Sequence, residues 1–156
     1  MIATNHALVG AIIGISIKKP ELALPLAFVS HFVFDAVPHF GGVNMSPQDW
    51  LCSRVFKSML IIDAILCFAL VLFLGINQPN NWLLASVCAF LATSPDFMHM
   101  PRFLAANKNS SKPVKEGFLL KIHHKVQWFE KPIGAIVEVI FFAAAMIILF
   151  QLTIWK

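Results

Sequence analysis

Residues 21–39 read ELALPLAFVSHFVFDAVPH. An apolar helix that starts at about Glu21 ends in two ionisable side chains, His31 and Asp35. Four residues apart, they share one helical face about one turn from each other. Pro38 disfavours helix at Val37, so His39 swings out where the chain leaves the helix. An ionisable pair in a hydrophobic helix is expensive in lipid, and function is its default explanation.

The rest of the composition agrees with a lipid setting. Of 156 residues, 58% are hydrophobic and 13% charged, with a mean hydropathy of +0.76. Soluble domains carry about 25% charged residues, so residues 1–156 read as a single all-α integral membrane domain. The N-terminus has no Lys or Arg before Lys18 and no small-residue cleavage site, so it does not read as a cleaved signal peptide. Cys52, Cys67 and Cys88 match neither a zinc motif nor a disulfide framework, and read as small buried hydrophobes. The net charge of +4 comes mostly from one loop, which fits membrane orientation rather than nucleic-acid binding.

Five apolar segments are expected to span, with a short amphipathic helix in a loop. The first, Ala3–Ile17, is short for a crossing of about 20 residues. Its His6, Gly10 and Gly14 lie four apart, and the glycine pair lets a neighbouring helix approach closely. The second covers 21–36. The third is one helix that starts amphipathically near Trp50 and runs apolar to Gly75, interrupted by Asp63. The fourth, Trp82–Thr93, has a close-packing stripe of Ala85, Ala89 and Ala92 (or Cys88). Ser94-Pro95-Asp96 then breaks the helix, with Ser94 placed to cap a new one. Residues 107–113 read as a flexible loop and 117–130 as an amphipathic surface helix with His123, His124, Trp128 and Glu130. The last segment, 132–154, carries Glu138.

Five spans put the N-terminus, the loop at 37–50 and the basic loop at 101–131 on one side. The positive-inside rule makes that side cytoplasmic, in a cytoplasmic (inner) membrane. His6, His31, Asp35, Asp63, Asp96, His99 and Glu138 then fall in one leaflet, and the opposite halves hold no ionisable residue between their caps. Asp63 and Glu138 read as structural.

Imidazoles and carboxylates converging on one pocket suit a divalent metal, zinc first, then manganese or iron, with a coordination position open for water. His31, Asp35, Asp96 and His99 are the first candidates as metal ligands and His6 the next. One of His123, His124 or Glu130 is the candidate general acid or base. The same residues also allow three other readings: a proton- or cation-translocating protein, a haem protein with axial histidines such as His31 and His99, or a membrane scaffold without enzymatic activity.

Asn5-His6-Ala7-Leu8, Ser30-His31-x-x-x-Asp35-x-x-Pro38 and Pro95-Asp96-x-x-His99 resemble, as short islands across most of the chain, motifs of the YdjM-like family of membrane-bound metal-dependent hydrolases. That family is related in style to the zinc-dependent phospholipase C group. The resemblance supports His6, His31, Asp35, Asp96 and His99 as metal ligands, with His123 or His124 more weakly matched. Met98 stands where the family motif has a second acidic residue, a departure that bears on a two-metal site. The order of the motifs also departs, the Ser-His-x-x-x-Asp stretch coming before Pro-Asp. The resemblance implies hydrolysis of a phosphodiester or ester of a lipid or lipid-linked substrate at headgroup depth.

Overall fold

The computed structural model describes residues 1–41, 46–78, 80–107 and 117–154. Among them the chain is helical, with no strand and one isolated bridge between His39 and Glu130. The helices are α1 (Ala3–Ile17), α2 (Pro20–Asp35), α3 (Pro47–Cys52), α4 (Arg54–Asn77), α5 (Trp82–Thr93), α6 (Met100–Asn107), α7 (Phe118–Val126) and α8 (Gly134–Thr153). A 3-10 segment, Ser94–His99, joins α5 to α6. Most of the loop expected at 107–113, and residues 42–45 of the loop at 37–50, lie outside the described residues.

α1 is the hub. It buries 10 of its 15 residues and packs against α5 above all, then α2, α8 and α4. The small-residue pairing is mutual. A side chain at Gly10 would overlap the Cys88 carbonyl and come within 2.8 Å of the Ala89 Cα. One at Gly14 would come within 2.7 Å of the Ala85 Cα. Ala7, Leu8, Ala11 and Ile15 complete a core with Leu70, Leu74, Ala145 and Leu149 from the surrounding helices.

The start of α1 is capped from outside. Ile2 offers no capping side chain. Asp63 of α4 instead accepts from the Ala3 and Thr4 backbone N–H groups, at 2.7 and 2.8 Å, and from the Thr4 hydroxyl. A carboxylate there satisfies orphan donors and meets the positive end of the helix dipole. Glu138 of α8 accepts from the backbone N–H groups of Ile2 and Phe40, and its carbonyl accepts from Asn5 Nδ2.

Two boundaries differ from expectation. The third segment is two helices, because Ser53 adopts extended backbone and its Oγ accepts from Phe56 N–H as the N-cap of α4. Ser94 does not cap forward. Its hydroxyl donates to Leu91 O, the acceptor that Pro95, having no N–H, cannot reach. The chain tightens into the 3-10 segment instead of breaking.

Among the described residues, three stretches are long and apolar enough to cross a membrane: Arg54–Asn77, Trp82–Asn107 and Gly134–Thr153. α1 and α2, with 15 and 16 residues, rise only about 22–24 Å at 1.5 Å per residue, short of a hydrocarbon core of about 30 Å. α2 presents Leu22, Leu26, Val29 and Val33 outward, and α4 and α8 expose runs of Ile, Leu, Val and Phe. A soluble monomer does not expose apolar surface on this scale, whereas a lipid solvent requires it.

Candidate metal centre

The inner face of α2 is Ala23, Ala27, Ser30, His31 and Asp35, all buried. The alanines let α2 close on α1 and α5, and the same stripe carries His31 and Asp35 inward. In the 3-10 segment residues three apart eclipse, which sets Asp96 and His99 on one edge, facing α2 and α7. α7 is amphipathic and buries Leu120 and His123.

These elements bring His31, Asp35, Asp96 and His123 together, one ligand atom from each lying within 4.8 Å of all the others. Asp35 Oδ2 is 3.2 Å from His31 Nε2 and 2.6 Å from His123 Nε2. The two Nε2 atoms are 2.9 Å apart. Asp96 Oδ1 stands looser, 3.6 Å from His31 Nε2 and 3.9 Å from His123 Nε2. It is also the exposed member: its side chain is 33% accessible and the other three are fully buried. The group can hold a metal ion.

The outer bonds fix which nitrogen faces the centre. His31 Nδ1 lies 2.8 Å from Ala92 O. A carbonyl only accepts, so Nδ1 carries the hydrogen, and a neutral His31 aims its Nε2 lone pair inward. His123 Nδ1 is taken by His99 Nε2 at 2.9 Å, leaving His123 Nε2 inward as well. Two imidazole nitrogens and a carboxylate oxygen this close to one another are held together by a shared proton or by a metal cation among them.

The other expected residues surround this group. His6 stacks on His31 with ring centroids 4.0 Å apart, and its Nε2 meets Asp35 Oδ1 at 3.0 Å. The α-amino group of Met1 donates to the same oxygen at 2.7 Å. His6 thus orients the carboxylate from behind, and His99 supports His123. His124 is on the rim, accepting at Nε2 from Arg102 Nη1 at 2.7 Å. Glu130 is held elsewhere, its side chain against Gly41 and its backbone paired with His39. Burial pushes the His39 imidazole below its ordinary pKa, and the neutral ring donates from Nδ1 to Val37 O at 2.9 Å.

His123 belongs to the donor group rather than standing apart as an acid or base. Gln127, not singled out in the sequence, donates to Asp35 Oδ2 at 3.3 Å. Its signal is its place at the C-cap of α7, four residues after His123. An axial His31–His99 pair for haem is excluded by position, since the His123 imidazole fills the space between them. Asp63 and Glu138 cap α1, as their structural reading anticipates.

No family model, curated protein or solved structure matches the chain.

Proposed function

We propose that the protein is a membrane-bound metal-dependent hydrolase acting on a phosphodiester or ester of a lipid or lipid-linked substrate at the cytoplasmic face of an inner membrane. The observation that carries this reading is the inward aim of His31 Nε2, His123 Nε2 and Asp35 Oδ2, with both Nδ1 atoms engaged behind them. Backed imidazoles of this kind are the usual outer-shell arrangement of metal-bound histidine. Four ligands about 2.0–2.1 Å from a tetrahedral zinc stand about 3.3 Å from one another. Five of the six separations in the group fall at 2.6–3.9 Å and all lie within 4.8 Å, a spread that admits zinc together with other divalent ions.

A divalent ion bound there supplies Lewis acidity toward an ester or phosphoryl oxygen and a water of lowered pKa. His31, His123 and Asp35 form the closed face. Asp96, looser and solvent-facing, serves as the fourth ligand or as the base on the open side. His6 and Gln127 hold Asp35 by one oxygen each. A five-crossing topology with the basic side cytoplasmic belongs to the same proposal, as does the resemblance to YdjM-like hydrolases.

A proton or cation path asks for polar groups through both halves of the bundle. From Ala7 to the end of α1 and from the start of α2 to Val29, the buried residues are only Gly, Ala, Leu, Val and Ile, which favours hydrolysis over conduction.

The test is elemental mass spectrometry of detergent-purified protein beside His31→Ala and Asp35→Ala, followed by assays on phosphodiester and carboxylic-ester lipids. Near-stoichiometric zinc, manganese or iron in the wild type only, with activity that follows metal content, is expected. Absence of metal after reconstitution with each ion would overturn the reading.

A further inference from the structure

By the 3.6-residue period the surface of α7 divides into three arcs. Leu120 and His123 form the inner one and are buried, on the side where α7 meets α2 and the 3-10 segment. Phe118, Leu119, Ile122 and Val126 share the second, with Phe118 77% exposed. Lys121 and Lys125 share the third and are exposed. The turn after α7 extends this outer surface with Trp128, 71% exposed, and with Lys131, whose Nζ lies 4.8 Å from the Phe129 ring centroid. Against the three lysines, residues 117–133 hold one carboxylate, Glu130, whose side chain lies against Gly41. Only residues 127–133 separate α7 from α8, which is long and apolar enough to cross a membrane. A short helix tethered that closely to the end of a crossing segment lies at the boundary between hydrocarbon and water. Aromatic, apolar and basic side chains together are what that layer favours.

We infer that α7 and the turn to α8 form a binding surface for anionic phospholipid. Phe118, Leu119, Ile122 and Trp128 enter the acyl boundary, and Lys121, Lys125 and Lys131 meet the phosphates above it. Charge selects the occupant: three lysines beside one carboxylate suit a negative headgroup layer, which attracts basic side chains by roughly fivefold each. The roll of α7 that lays both outer arcs on lipid is the roll that turns His123 toward Asp35 and His31. The lipid surface therefore sits directly behind the donor group. It holds independently of any hydrolytic activity and of any bound metal.

The experiment reconstitutes the full chain in phosphatidylcholine bilayers that contain brominated phosphatidylglycerol or brominated phosphatidylcholine, and follows tryptophan quenching. The Trp128 contribution is the difference between wild type and Trp128→Phe, a change at an exposed position. Both brominated lipids are expected to quench Trp128, with phosphatidylglycerol preferred by about tenfold or more from the lysines together. Bromines near the headgroup should quench more strongly than bromines near the chain end. Replacing Lys121 and Lys125 together by Gln should keep the quenching and remove most of the preference. Lys18→Gln with Lys19→Gln makes the same charge change at the turn between α1 and α2, and should leave the preference as in wild type. Equal quenching by the two lipids in wild type, or a preference lost equally in both double variants, would overturn the inference. Trp128 unquenched by either lipid would show that protein covers this face, and would overturn it as well. Zinc content measured on the same samples separates the two proposals. A lipid preference in protein that takes up no metal leaves this inference standing while the metal reading falls.

Discussion

His31 donates its Nδ1 hydrogen to the backbone carbonyl of Ala92, 2.8 Å away, so one bond both locks α2 to the last turn of α5 and turns Nε2 toward Asp35. Ala92 is fully buried, and its carbonyl belongs to the final turn of α5, where helix carbonyls lose their intrahelical partners. Structure and chemistry share a single side chain there.

The two roles separate by substitution. Asn at position 31 keeps a donor near the position of Nδ1 and removes Nε2. His31→Asn should therefore lose bound metal as fully as His31→Ala, yet unfold at a higher temperature than the alanine variant. Metal content and thermal unfolding of the purified proteins check both halves, and an asparagine variant that keeps its metal would contradict the proposed ligand.

Removal of the proposed ion takes away a link among α2, α7 and the 3-10 segment and should destabilise the bundle. Treatment with a chelator is expected to lower the unfolding temperature. Restoring free metal to about one hundred times its dissociation constant should return about 2.7 kcal/mol. Stability that is unchanged by chelator in metal-containing protein would show that the ion does not bridge α2, α7 and the 3-10 segment.

Close approach of α1 to α5 depends on Gly10. Gly10→Ala sets a methyl group into the Cys88 carbonyl, and backbone has little room to yield, so a loss of about 1–3 kcal/mol is expected. Gly75 on α4 has nothing within 4 Å of the same position. Gly75→Ala should be neutral or stabilising by up to about 1 kcal/mol through helix propensity. Denaturation of the two variants side by side in one detergent measures the contrast.

Asp63 caps α1 across the bundle without joining the donor group. Asp63→Ala should cost about 1–2 kcal/mol, the range of a lost N-cap, and Asp63→Asn less, since an amide oxygen still accepts. Metal content should be unaffected in both. Loss of metal with retained stability would place Asp63 in the site instead.

Much of the site was legible in the chain. The i,i+4 spacing of His31 and Asp35 and the Pro after them are local features that need no tertiary knowledge. Asp96 and His99 were also legible, although their shared edge comes from a 3-10 twist that Pro95 imposes. His123 was visible only as a histidine among lysines. Its place opposite His31 depends on how α7 folds back over α2, across a long stretch of sequence whose pairing no periodicity encodes.

Composition and spacing by themselves determined that the chain is helical with stretches apolar enough to cross a membrane, that Gly10 and Gly14 admit a close neighbour, and that His31 and Asp35 share a face. Those are properties of one helix in one solvent, set by hydropathy and the 3.6-residue period. Tertiary structure alone decided that His123 completes the donor group, that His6 and Gln127 orient Asp35, and that Asp63 and Glu138 hold the start of α1. Each of those contacts joins residues far apart in sequence, and only the packing of α1, α2, α4, α7 and α8 in the bundle fixes which donors come within hydrogen-bond reach.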